Sequence, residues 1–410
     1  MIVEIFMSYA IVIPMLHYYP DRPSGSTRLA FDEASYLAHQ GHEVWVIAPD
    51  LSGEKPEYTQ QDGLHVLRYE TPAISALNFQ RAAIHQDLTA SLLHKYVGEE
   101  VDLVHGHALL QYAGALKAYQ AGVRVGYTVH SPVKLEMQAT ARNSSLKNQF
   151  LFKIKAIITH HIERNCLQQS DYVTVDSQYT KALLGRLHGR RIQSKVRVVP
   201  GWVNINNFKV LSDRHAAKVQ LGWPTDAPVL FTLRRLVPRM GLDRLIYALR
   251  EIESTIPFHM VIGGQGPLRT SLELLAAKLG LDDRIHFAGF VPETLLPLMY
   301  GAADAFVLPT AELECFGIIA LESLASGRPV LATPVGAIPE ILEQVEPAWL
   351  AANASVDAIA QLLRGFLQNR LPEHNPQQLR EFVVANYNAA EILKRLTFIA
   401  LGPEQSSHKG

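Results

Sequence analysis

Residues 309–330 read PTAELECFGIIALESLASGRPV, and the order of elements in this stretch sets the fold class. The apolar run that ends at Leu308 predicts a buried strand. A helix is predicted to begin near Phe316 and Gly317 and to end at Gly327. Strand, loop, helix and next strand in this order form a βαβ unit, whose two strands are parallel. The stretch therefore predicts an α/β fold.

The same stretch carries two carboxylates close to the edge of the predicted sheet. Glu314 lies in the loop after the strand, and Glu322 lies about two turns into the helix. The free N–H groups at the helix start, around Phe316 and Gly317, form an anion site, and the glycine lets a phosphate approach the backbone. We predict that each glutamate binds sugar hydroxyl groups. The structural alternative is one capping acid and one surface acid.

Two more loops in this half follow predicted strands. Three arginines come after the strand at 229–233, namely Arg234, Arg235 and Arg239. Each guanidinium is permanently charged and can form two hydrogen bonds at once, which suits a diphosphate. The alternative is that these arginines are solvated loop residues without a ligand. After the strand at 259–263, the sequence GGQGP includes Gly266, where a small residue permits close approach of a ligand. A plain turn is the alternative there.

The N-terminal half repeats the strand and helix rhythm. A strand at 5–15, a helix at 28–40 and a strand at 42–48 predict a first βαβ unit. Gly25 and Ser26 are expected in the loop after the first strand, where an acceptor or a phosphate would bind. Further strands are predicted at 101–104, 123–130 and 172–175, with helices at 81–97, 108–120 and 146–168 between them. This half therefore predicts a doubly wound parallel sheet.

A break at Pro200 to Trp202 suggests two domains. We expect an N-terminal domain at 1–199 and a C-terminal domain at 200–385. A final amphipathic helical stretch at 376–401 is expected, whose end, residues 386–402, packs back on the N-terminal domain. Residues 403–410 are expected to form a tail.

Several histidines follow predicted strands. His130 ends a strand that is expected to face the ligand, so it is a candidate catalytic residue. His105 is better explained as a buried residue with satisfied hydrogen bonds, and His107 lies near the same strand end. His160 and His161 are adjacent on a helix and are expected at the surface.

The composition limits the possible classes of protein. Of 410 residues, 48% are hydrophobic and 19% are charged, which excludes a disordered chain and a coiled coil. Lys and Arg number 38 against 39 Asp and Glu, so no net field attracts nucleic acid. Cys166 and Cys315 are too few for a disulfide framework. The apolar start is too short for a membrane anchor. We therefore expect a cytoplasmic protein with no nucleic-acid partner.

Basic residues are concentrated in one part of the chain. Residues 101–200 hold 14 Lys and Arg side chains against 5 Asp and Glu, and most of this excess lies between Lys134 and Arg197. Two interpretations stay open. The segment forms solvated helix faces, or it forms a basic surface for an anionic substrate or for peripheral contact with the cytoplasmic face of a membrane.

Motifs for metal and nicotinamide chemistry are absent from the sequence. It contains no Asp-x-Asp that would hold a magnesium-bound nucleotide and no Cys or His spacing typical of zinc sites. It also lacks Gly-x-Gly-x-x-Gly after the first strand. We expect neither a metal ion nor an organic cofactor.

These motifs resemble those of the retaining glycosyltransferases of family four, which have the GT-B fold. The resemblance covers nearly the whole chain. It rests on the run from Glu314 to Glu322 and Glu340, on Arg235-Leu236, on Gly264-Gln265-Gly266, on Val104-His105-Gly106-His107 and on Thr128-Val129-His130.

The resemblance implies two doubly wound parallel-sheet domains facing across a cleft, with a nucleotide-sugar donor on the second domain and an acceptor on the first. It assigns the ribose to Glu322, the donor sugar to Glu314 and the diphosphate to Arg235. It places His130 at the sugar near the reacting centre. One departure concerns Met240, which stands where the family commonly has a phosphate-binding lysine. We expect Arg239 or Arg234 to supply that charge, with Arg239 favoured as the direct neighbour.

The predicted function is metal-independent, retaining transfer of a hexose-type sugar from a UDP- or GDP-sugar to a hydroxyl group. The acceptor would be a sugar or a lipid-linked molecule in glycan, polysaccharide or glycolipid biosynthesis. Two alternatives stay open, a sugar-nucleotide epimerase on the same fold and a catalytically silent sugar-nucleotide-binding protein. An epimer formed without acceptor would identify the first, and absence of slow donor hydrolysis would identify the second.

Overall fold

The computed structural model describes residues 8–71, 80–119, 122–141, 146–253 and 255–402. The chain separates into two compact units, each with its own sheet. The first unit comprises Met1–Gln138, Ser145–Pro200 and Ala390–Gly410, and the second comprises Ala139–Ser144 and Gly201–Ala389. The main path of the chain therefore leaves the first unit at Pro200 and returns to it at Ala390.

Eight strands form the sheet of the first unit. They are β1 (Ala10–Pro14), β2 (Glu43–Asp50), β3 (Tyr58–Gln61), β4 (Leu64–Glu70), β5 (Leu103–Gly106), β6 (Arg124–Val129), β7 (Tyr172–Val175) and β8 (Val196–Val198). Their order in the sheet is β3-β4-β2-β1-β5-β6-β7-β8. The central strands are apolar on both faces, as in Ile11, Val12 and Ile13, because helices cover a doubly wound sheet on both sides.

The edge of this sheet differs from the sequence-based prediction. β3 and β4 pair antiparallel and form a hairpin, whereas the other neighbouring strands are parallel. The turn residues Asp62 and Gly63 both have positive φ, 53° and 76°, which suits an Asp-Gly hairpin turn. The predicted first strand began at Ile5. β1 begins at Ala10, and residues 5–7 lie outside the described part of the chain.

Seven helices accompany this sheet in the described part of the chain before Pro200. They are α1 (Gly25–His39), α2 (Arg81–Tyr96), α3 (Leu109–Ala118), α4 (Val133–Ala141), α5 (Leu146–Gln169), α6 (Gln178–His188) and α7 (Arg190–Lys195). The prediction of Gly25 and Ser26 as loop residues is wrong, since both lie in the first turn of α1. The reason is the cap, because the Ser24 hydroxyl accepts a hydrogen bond from the Thr27 amide at 3.4 Å and so starts the helix earlier.

Five parallel strands form the sheet of the second unit. They are β9 (Val229–Leu233), β10 (His259–Gly263), β11 (Ile285–Gly289), β12 (Ala305–Leu308) and β13 (Val330–Ala332), in the order β11-β10-β9-β12-β13. The helices are α8 (Arg214–Gln220), α9 (Leu242–Arg250), α10 (Arg269–Lys278), α11 (Leu296–Ala302), α12 (Ile318–Ala325), α13 (Ile338–Leu342), α14 (Val356–Leu367) and α15 (Pro376–Tyr387). The second sheet is thus also doubly wound, as the sequence predicts.

The final helical stretch is broken, which corrects the prediction of one continuous element at 376–401. α15 ends at Tyr387, Asn388 is extended, and α16 runs over Ala389–Leu401. Within the first unit, the Arg124 guanidinium donates to the carbonyl oxygens of Ile399 and Ala400 at 3.1 and 2.6 Å. These bonds satisfy two of the orphan carbonyl groups at the end of α16. Among the described residues, no helix combines the length and hydrophobicity needed to span a bilayer.

Candidate functional site

The carboxyl ends of β9 and β12 are neighbours in the second sheet, and candidate donor-binding residues follow both strands. The strand order reverses beside β9, and doubly wound sheets bind ligands at such a switch point. Arg234 and Arg235 follow β9, and the loop that carries Glu314 follows β12. The Arg234 side chain is only 4% exposed, whereas Arg235 is exposed to solvent. The two adjacent arginines therefore have different surroundings.

An ion pair joins the two loops at the switch point. Arg234 Nη2 donates to Glu314 Oε2 at 2.8 Å, and the Thr310 hydroxyl donates to the same oxygen at 3.2 Å. Arg234 Nη2 also contacts the Met240 sulfur. Of the two arginines considered as replacements for the family lysine, Arg234 is the one whose guanidinium lies beside Met240.

The backbone of this loop fixes the direction of the Glu314 side chain. Leu313 has a φ of 54°, in the left-handed region that leucine rarely adopts, and its carbonyl accepts a bond from Arg239 Nη1 at 2.8 Å. The Glu314 carbonyl accepts a bond from the Ala337 amide at 2.8 Å. At Gly336 a Cβ would lie 1.9 Å from that carbonyl oxygen, so only glycine fits. Arg239 therefore supports the loop that carries Glu314.

Two glycines, Gly317 and Gly266, allow neighbouring parts of the protein to pack closely in this region. Gly317 is the N-cap residue of α12 with φ 98°, and a Cβ there would lie 2.5 Å from Ile338 Cδ1. No side chain caps α12, so its first N–H groups can bind an anion. At Gly266 a Cβ would lie 2.4 Å from the Leu236 carbonyl oxygen. Phe316 is buried and packs in the core beside this turn.

Glu322 is a buried carboxylate inside α12. It is 4% exposed, and its Oε2 accepts a hydrogen bond from the Tyr300 hydroxyl at 2.7 Å. A second carboxylate, Glu293, lies near enough to interact with it. Burial, and secondly the charge of Glu322, raise the pKa of Glu293 to about 7. Glu293 therefore changes charge near neutral pH.

The first unit carries a separate polar site, which we call the polar ladder. It consists of two rows across the carboxyl ends of β5, β6 and β7: His105, Thr128 and Thr174 in one row, and His107, His130 and Asp176 in the other. The donor and acceptor atoms in the first row lie 2.8 and 2.6 Å apart. Those in the second row lie 3.0 and 3.0 Å apart. Residues two positions apart on a strand share a face, so three adjacent strands build two rows.

A carboxylate of α1 joins the two rows. Glu33 is 1% exposed, and its Oε1 accepts from His105 Nδ1 at 2.5 Å while Oε2 accepts from His107 Nε2 at 2.8 Å. Burial alone would raise the pKa of Glu33, but His105 and then His107 outweigh this effect and lower it. Burial lowers the pKa of His107 to about 4. Glu33 is therefore an ionised carboxylate that accepts a hydrogen bond from each of the two imidazoles.

The ligand atoms of Glu33, His105 and His107 lie within 4.8 Å of one another, a spacing that would suit a metal ion. All four imidazole nitrogens already take part in hydrogen bonds within the polar ladder and with Glu33. A metal ion bound here would have to displace these hydrogen bonds.

A second histidine cluster lies between α5 and α6. His188 Nε2 donates to Glu163 Oε2 at 2.9 Å, and the His160 ring stacks on the His188 ring at 4.5 Å with an angle of 18°. Rings stacked in parallel cannot direct their in-plane lone pairs at one ion, so this cluster does not fit a metal. The prediction of a surface position is wrong for His160, which is half-buried against His188, and His161 is exposed.

Among the residues of these sites that escaped the sequence reasoning are Glu33, Asp176, Glu293 and Tyr300. Glu33 had a visible signal, because it interrupts the apolar stripe of α1 formed by Leu29, Ala30, Ala34 and Leu37. Asp176 comes directly after a predicted strand. Glu293 and Tyr300 had no comparable signal, since their neighbour Glu322 is distant in sequence.

Two family models match the chain, one in each half. The model described as Glycosyltransferase Family 4 matches residues 23–207, and the model described as Glycosyl transferases group 1 matches residues 213–395. The two models together cover most of the chain.

Curated relatives align over most of their length. The chain is 28% identical over 332 residues to the GDP-mannose-dependent alpha-(1-6)-phosphatidylinositol monomannoside mannosyltransferase of Mycolicibacterium smegmatis, which covers 78% of this chain and 79% of that protein. It is 30% identical over 325 residues to the D-inositol 3-phosphate glycosyltransferase of Kineococcus radiotolerans, with coverage of 74% and 72%.

A solved structure gives the same fold over nearly the whole chain. Sucrose-phosphate synthase from Thermosynechococcus elongatus superimposes with a TM-score of 0.80 at 21% identity, covering 95% of this chain and 98% of that chain. At this identity the similarity is evidence for the fold alone.

Proposed function

The chain belongs to family four of the glycosyltransferases and has the GT-B fold, and from this premise we propose metal-independent sugar transfer with retention of the anomeric configuration. The donor is a nucleoside diphosphate sugar, and the acceptor supplies a hydroxyl group. Glycosyltransferase activity itself follows from family membership, and the stereochemistry, the metal independence and the donor are the proposal.

The observation that carries the proposal is the ion pair of Arg234 with Glu314 beside the exposed Arg235. The side chain of Arg235 forms no hydrogen bond or ion pair with another described residue, so it is available to a substrate. Departure of a diphosphate builds negative charge on its oxygens, and a cation that is already in place stabilises this charge without reorganisation. Arg235 would bind the diphosphate, while Arg234 holds Glu314 toward the donor sugar.

The other proposed contacts to the donor are made by residues in and beside α12. Glu322, oriented by Tyr300, would bind the ribose, and the open N-terminus of α12 at Gly317 would bind a phosphate. The departing phosphate would accept the proton of the acceptor hydroxyl. His130, which follows β6 in the first unit, is the catalytic residue that the family resemblance implies there.

The proposed nucleotide is guanosine or uridine diphosphate. The Mycolicibacterium relative is named for GDP-mannose, and both curated relatives are named for acceptors with an inositol phosphate group. We infer an anionic hydroxyl acceptor, which agrees with the excess of basic residues between Lys134 and Arg197.

Product analysis tests the proposed function directly. Thermal shift with GDP, UDP and ADP and their sugars identifies the donor, because a bound ligand raises the melting temperature. The product's anomeric configuration is then read by NMR. Arg235→Ala is expected to lower kcat/KM roughly 10²- to 10³-fold, and the exposed Arg250→Ala on α9 is the control. An inverted product would refute retention, and an epimer formed without acceptor would favour the epimerase.

The first unit also presents a surface that suits an anionic membrane. On α5, Phe150 and Ile157 are 65% and 62% exposed, and Lys153 is exposed between them. Residues spaced by three, four and seven positions share one face of a helix, so two large apolar side chains and a cation point the same way. We propose that this face of α5 contacts an anionic bilayer and brings the enzyme to a lipid-linked acceptor.

Vesicle sedimentation tests the membrane contact. The chain is expected to sediment with vesicles of phosphatidylglycerol and phosphatidylcholine more than with phosphatidylcholine alone, and less so at high salt. Ile157→Glu should abolish this binding. Val219→Glu, at an exposed apolar residue of the second unit, is the matched control and should leave it unchanged. Equal binding by the two variants would leave a soluble acceptor as the better explanation.

A further inference from the structure

A cluster of charged side chains lies at the amino ends of β12 and β13 in the second unit. Asp304 directly precedes β12, and Arg328 comes two positions before β13, its parallel neighbour. Helix α8 adds Arg214 and Lys218. We call these four residues the basic cluster. The candidate donor-binding loops follow the carboxyl ends of the strands, so the basic cluster lies at the opposite edge of the same sheet.

Asp304 is the carboxylate of the basic cluster. Its Oδ1 accepts a hydrogen bond from Arg214 Nη2 at 2.5 Å, and its Oδ2 accepts from Lys218 Nζ and from the Val229 amide, both at 2.7 Å. Burial alone would raise the pKa of Asp304, but the hydrogen bonds from Lys218 and then from the Val229 amide outweigh burial and lower the pKa. The negative charge of Asp304 is therefore already shared by two cations and a backbone amide.

Arg328 is a buried cation without an ion-pair partner in the part of the chain that the structure describes. The residue is 6% exposed, and its side chain forms no hydrogen bond with another described residue. Its Nε is buried without an acceptor, and so is Nε of Arg214. Burial, and secondly the positive charge of Arg214, lower the pKa of Arg328 to about 10, so the guanidinium keeps its charge at neutral pH. The basic cluster thus combines three cations with one carboxylate.

This excess of positive charge is the observation that indicates a ligand. A buried guanidinium whose N–H groups lack acceptors is destabilising, because it has lost its hydration without gaining a partner. A phosphate monoester supplies a charge of about −1.5 to −2 at pH 7 and three strong acceptor oxygens, which matches two uncompensated cations. The planar guanidinium can bind two phosphate oxygens at once, whereas a monatomic anion such as chloride offers a single acceptor.

We propose that the basic cluster binds a phosphate group, either inorganic phosphate or the phosphate of a small monoester, through the guanidinium groups of Arg328 and Arg214. Solvent reaches this site, because the Arg214 side chain is 34% exposed. The bound phosphate connects α8 with the starts of β12 and β13 and so stabilises the second unit. Because the site lies away from the donor-binding loops, its ligand does not compete with the donor, and the inference goes beyond the proposed function.

Titration calorimetry with inorganic phosphate tests the site. Arg235 is the proposed diphosphate ligand and would also bind phosphate, so the measurement starts from Arg235→Met, in which the basic cluster is intact. Phosphate binding to this protein is expected, and adding Arg328→Met should weaken it about tenfold or more, because charge-assisted hydrogen bonds are lost. Sodium chloride at equal ionic strength controls for screening. Absence of binding by Arg235→Met, or equal binding by the double variant, would overturn the proposal.

Thermal melts, all in the Arg235→Met background, separate a ligand site from a purely structural arginine. Without phosphate, Arg328→Met should melt at or above the temperature of the background protein, since it removes an unpaired buried charge. Phosphate should raise the melting temperature of the background protein but not that of Arg328→Met. A phosphate-free melting temperature as low as that of the control below would overturn the proposal, as would an equal response to phosphate.

The matched control is Arg380→Met, at a half-buried arginine of the same unit. The Arg380 guanidinium donates to backbone carbonyl oxygens, namely those of Ile205, Phe208 and Ala325. Its loss leaves these acceptors without their donor, so Arg380→Met should lower the melting temperature with or without phosphate. The rise caused by phosphate should stay as large as in the background protein, because the basic cluster is unchanged.

A second ligand identifies the source of the phosphate group. Glycerol 3-phosphate that binds Arg235→Met at least as tightly as inorganic phosphate, with the same loss in Arg328→Met, would assign the site to a monoester. Weaker binding would assign it to the free ion, and failure of both ligands would refute the site. None of these measurements uses sugar transfer. The basic cluster can therefore be confirmed if the proposed function fails, and refuted if the enzyme transfers sugar.

Discussion

Replacing Arg234 with methionine is expected to destabilise the protein, whereas replacing the adjacent Arg235 should affect only activity. Arg234 is 4% exposed and paired with Glu314, which is 14% exposed. Breaking a buried ion pair by removing one partner costs about 3–5 kcal/mol, because the other charge stays buried without compensation. Glu314 keeps the hydrogen bond from Thr310, so we expect the lower end, about 3 kcal/mol.

This free energy corresponds to a measurable change in melting temperature. A loss of 1 kcal/mol lowers the melting temperature by about 2–4 °C for a unit of 150–250 residues, so Arg234→Met should lower it by about 6–12 °C. Arg364→Met is the control, because its partner Glu253, 3.1 Å away, is exposed and solvent screens the pair, so the melting temperature should change little. Arg235→Met should leave the melting temperature unchanged and lower kcat/KM roughly 10²- to 10³-fold.

A double-mutant cycle completes the test. If Arg234 and Glu314 stabilise each other, then Arg234→Met combined with Glu314→Gln costs less than the sum of the two single changes. Calorimetry on the four proteins measures this coupling. Additive effects, or loss of activity in Arg234→Met with an unchanged melting temperature, would show that Arg234 is a free substrate ligand and that our separation of the two arginines is wrong.

Three further outcomes are expected. Glu322→Ala should raise the donor KM strongly with a smaller effect on kcat, since ribose is remote from the bond that breaks, and unchanged donor affinity in calorimetry would contradict the assignment. Activity should persist in excess chelator, and a loss that magnesium restores would refute metal independence. The pKa of Glu293 is raised to about 7, so its favourable contribution to stability is full below pH 4.5 and disappears as pH rises through 7. Glu293→Gln should therefore stabilise the protein relative to wild type at pH 8 but not at pH 4, as thermal melts at both pH values can show.

Family and fold could be predicted from the sequence because the evidence for both is local. The strand, loop and helix around Glu314 and Glu322 are contiguous, and the elements that carry them fold where the apolar pattern places them, as β12 and α12. The family models and curated relatives confirm the predicted family. Buried strands and glycine-bounded helices leave a periodic signal in sequence, so their positions are recoverable.

Elements that depend on a single cap or turn were harder to predict. The start of α1 at Gly25 depends on one hydroxyl of Ser24, and the hairpin of β3 and β4 depends on the Asp62-Gly63 turn. The break between α15 and α16 occurs at one extended residue, Asn388, in a stretch that is otherwise helical in composition. Each of these features depends on one or two residues, whereas the apolar pattern of the sequence continues through them. The apolar pattern alone therefore does not predict where the element starts, turns or ends.

The polar ladder shows why a site can be missed in the sequence although several of its residues are singled out there. His105, His107 and His130 each attract attention as histidines after strands, but Glu33, which bonds to His105 and His107, lies more than 70 positions before the first of them. The first row explains why that distant carboxylate stays ionised. His105 Nδ1 faces Glu33 Oε1 at 2.5 Å, and because a carboxylate can only accept, this nitrogen carries a proton. Glu33 therefore receives two N–H donors, which offset its desolvation and keep it an acceptor for His107.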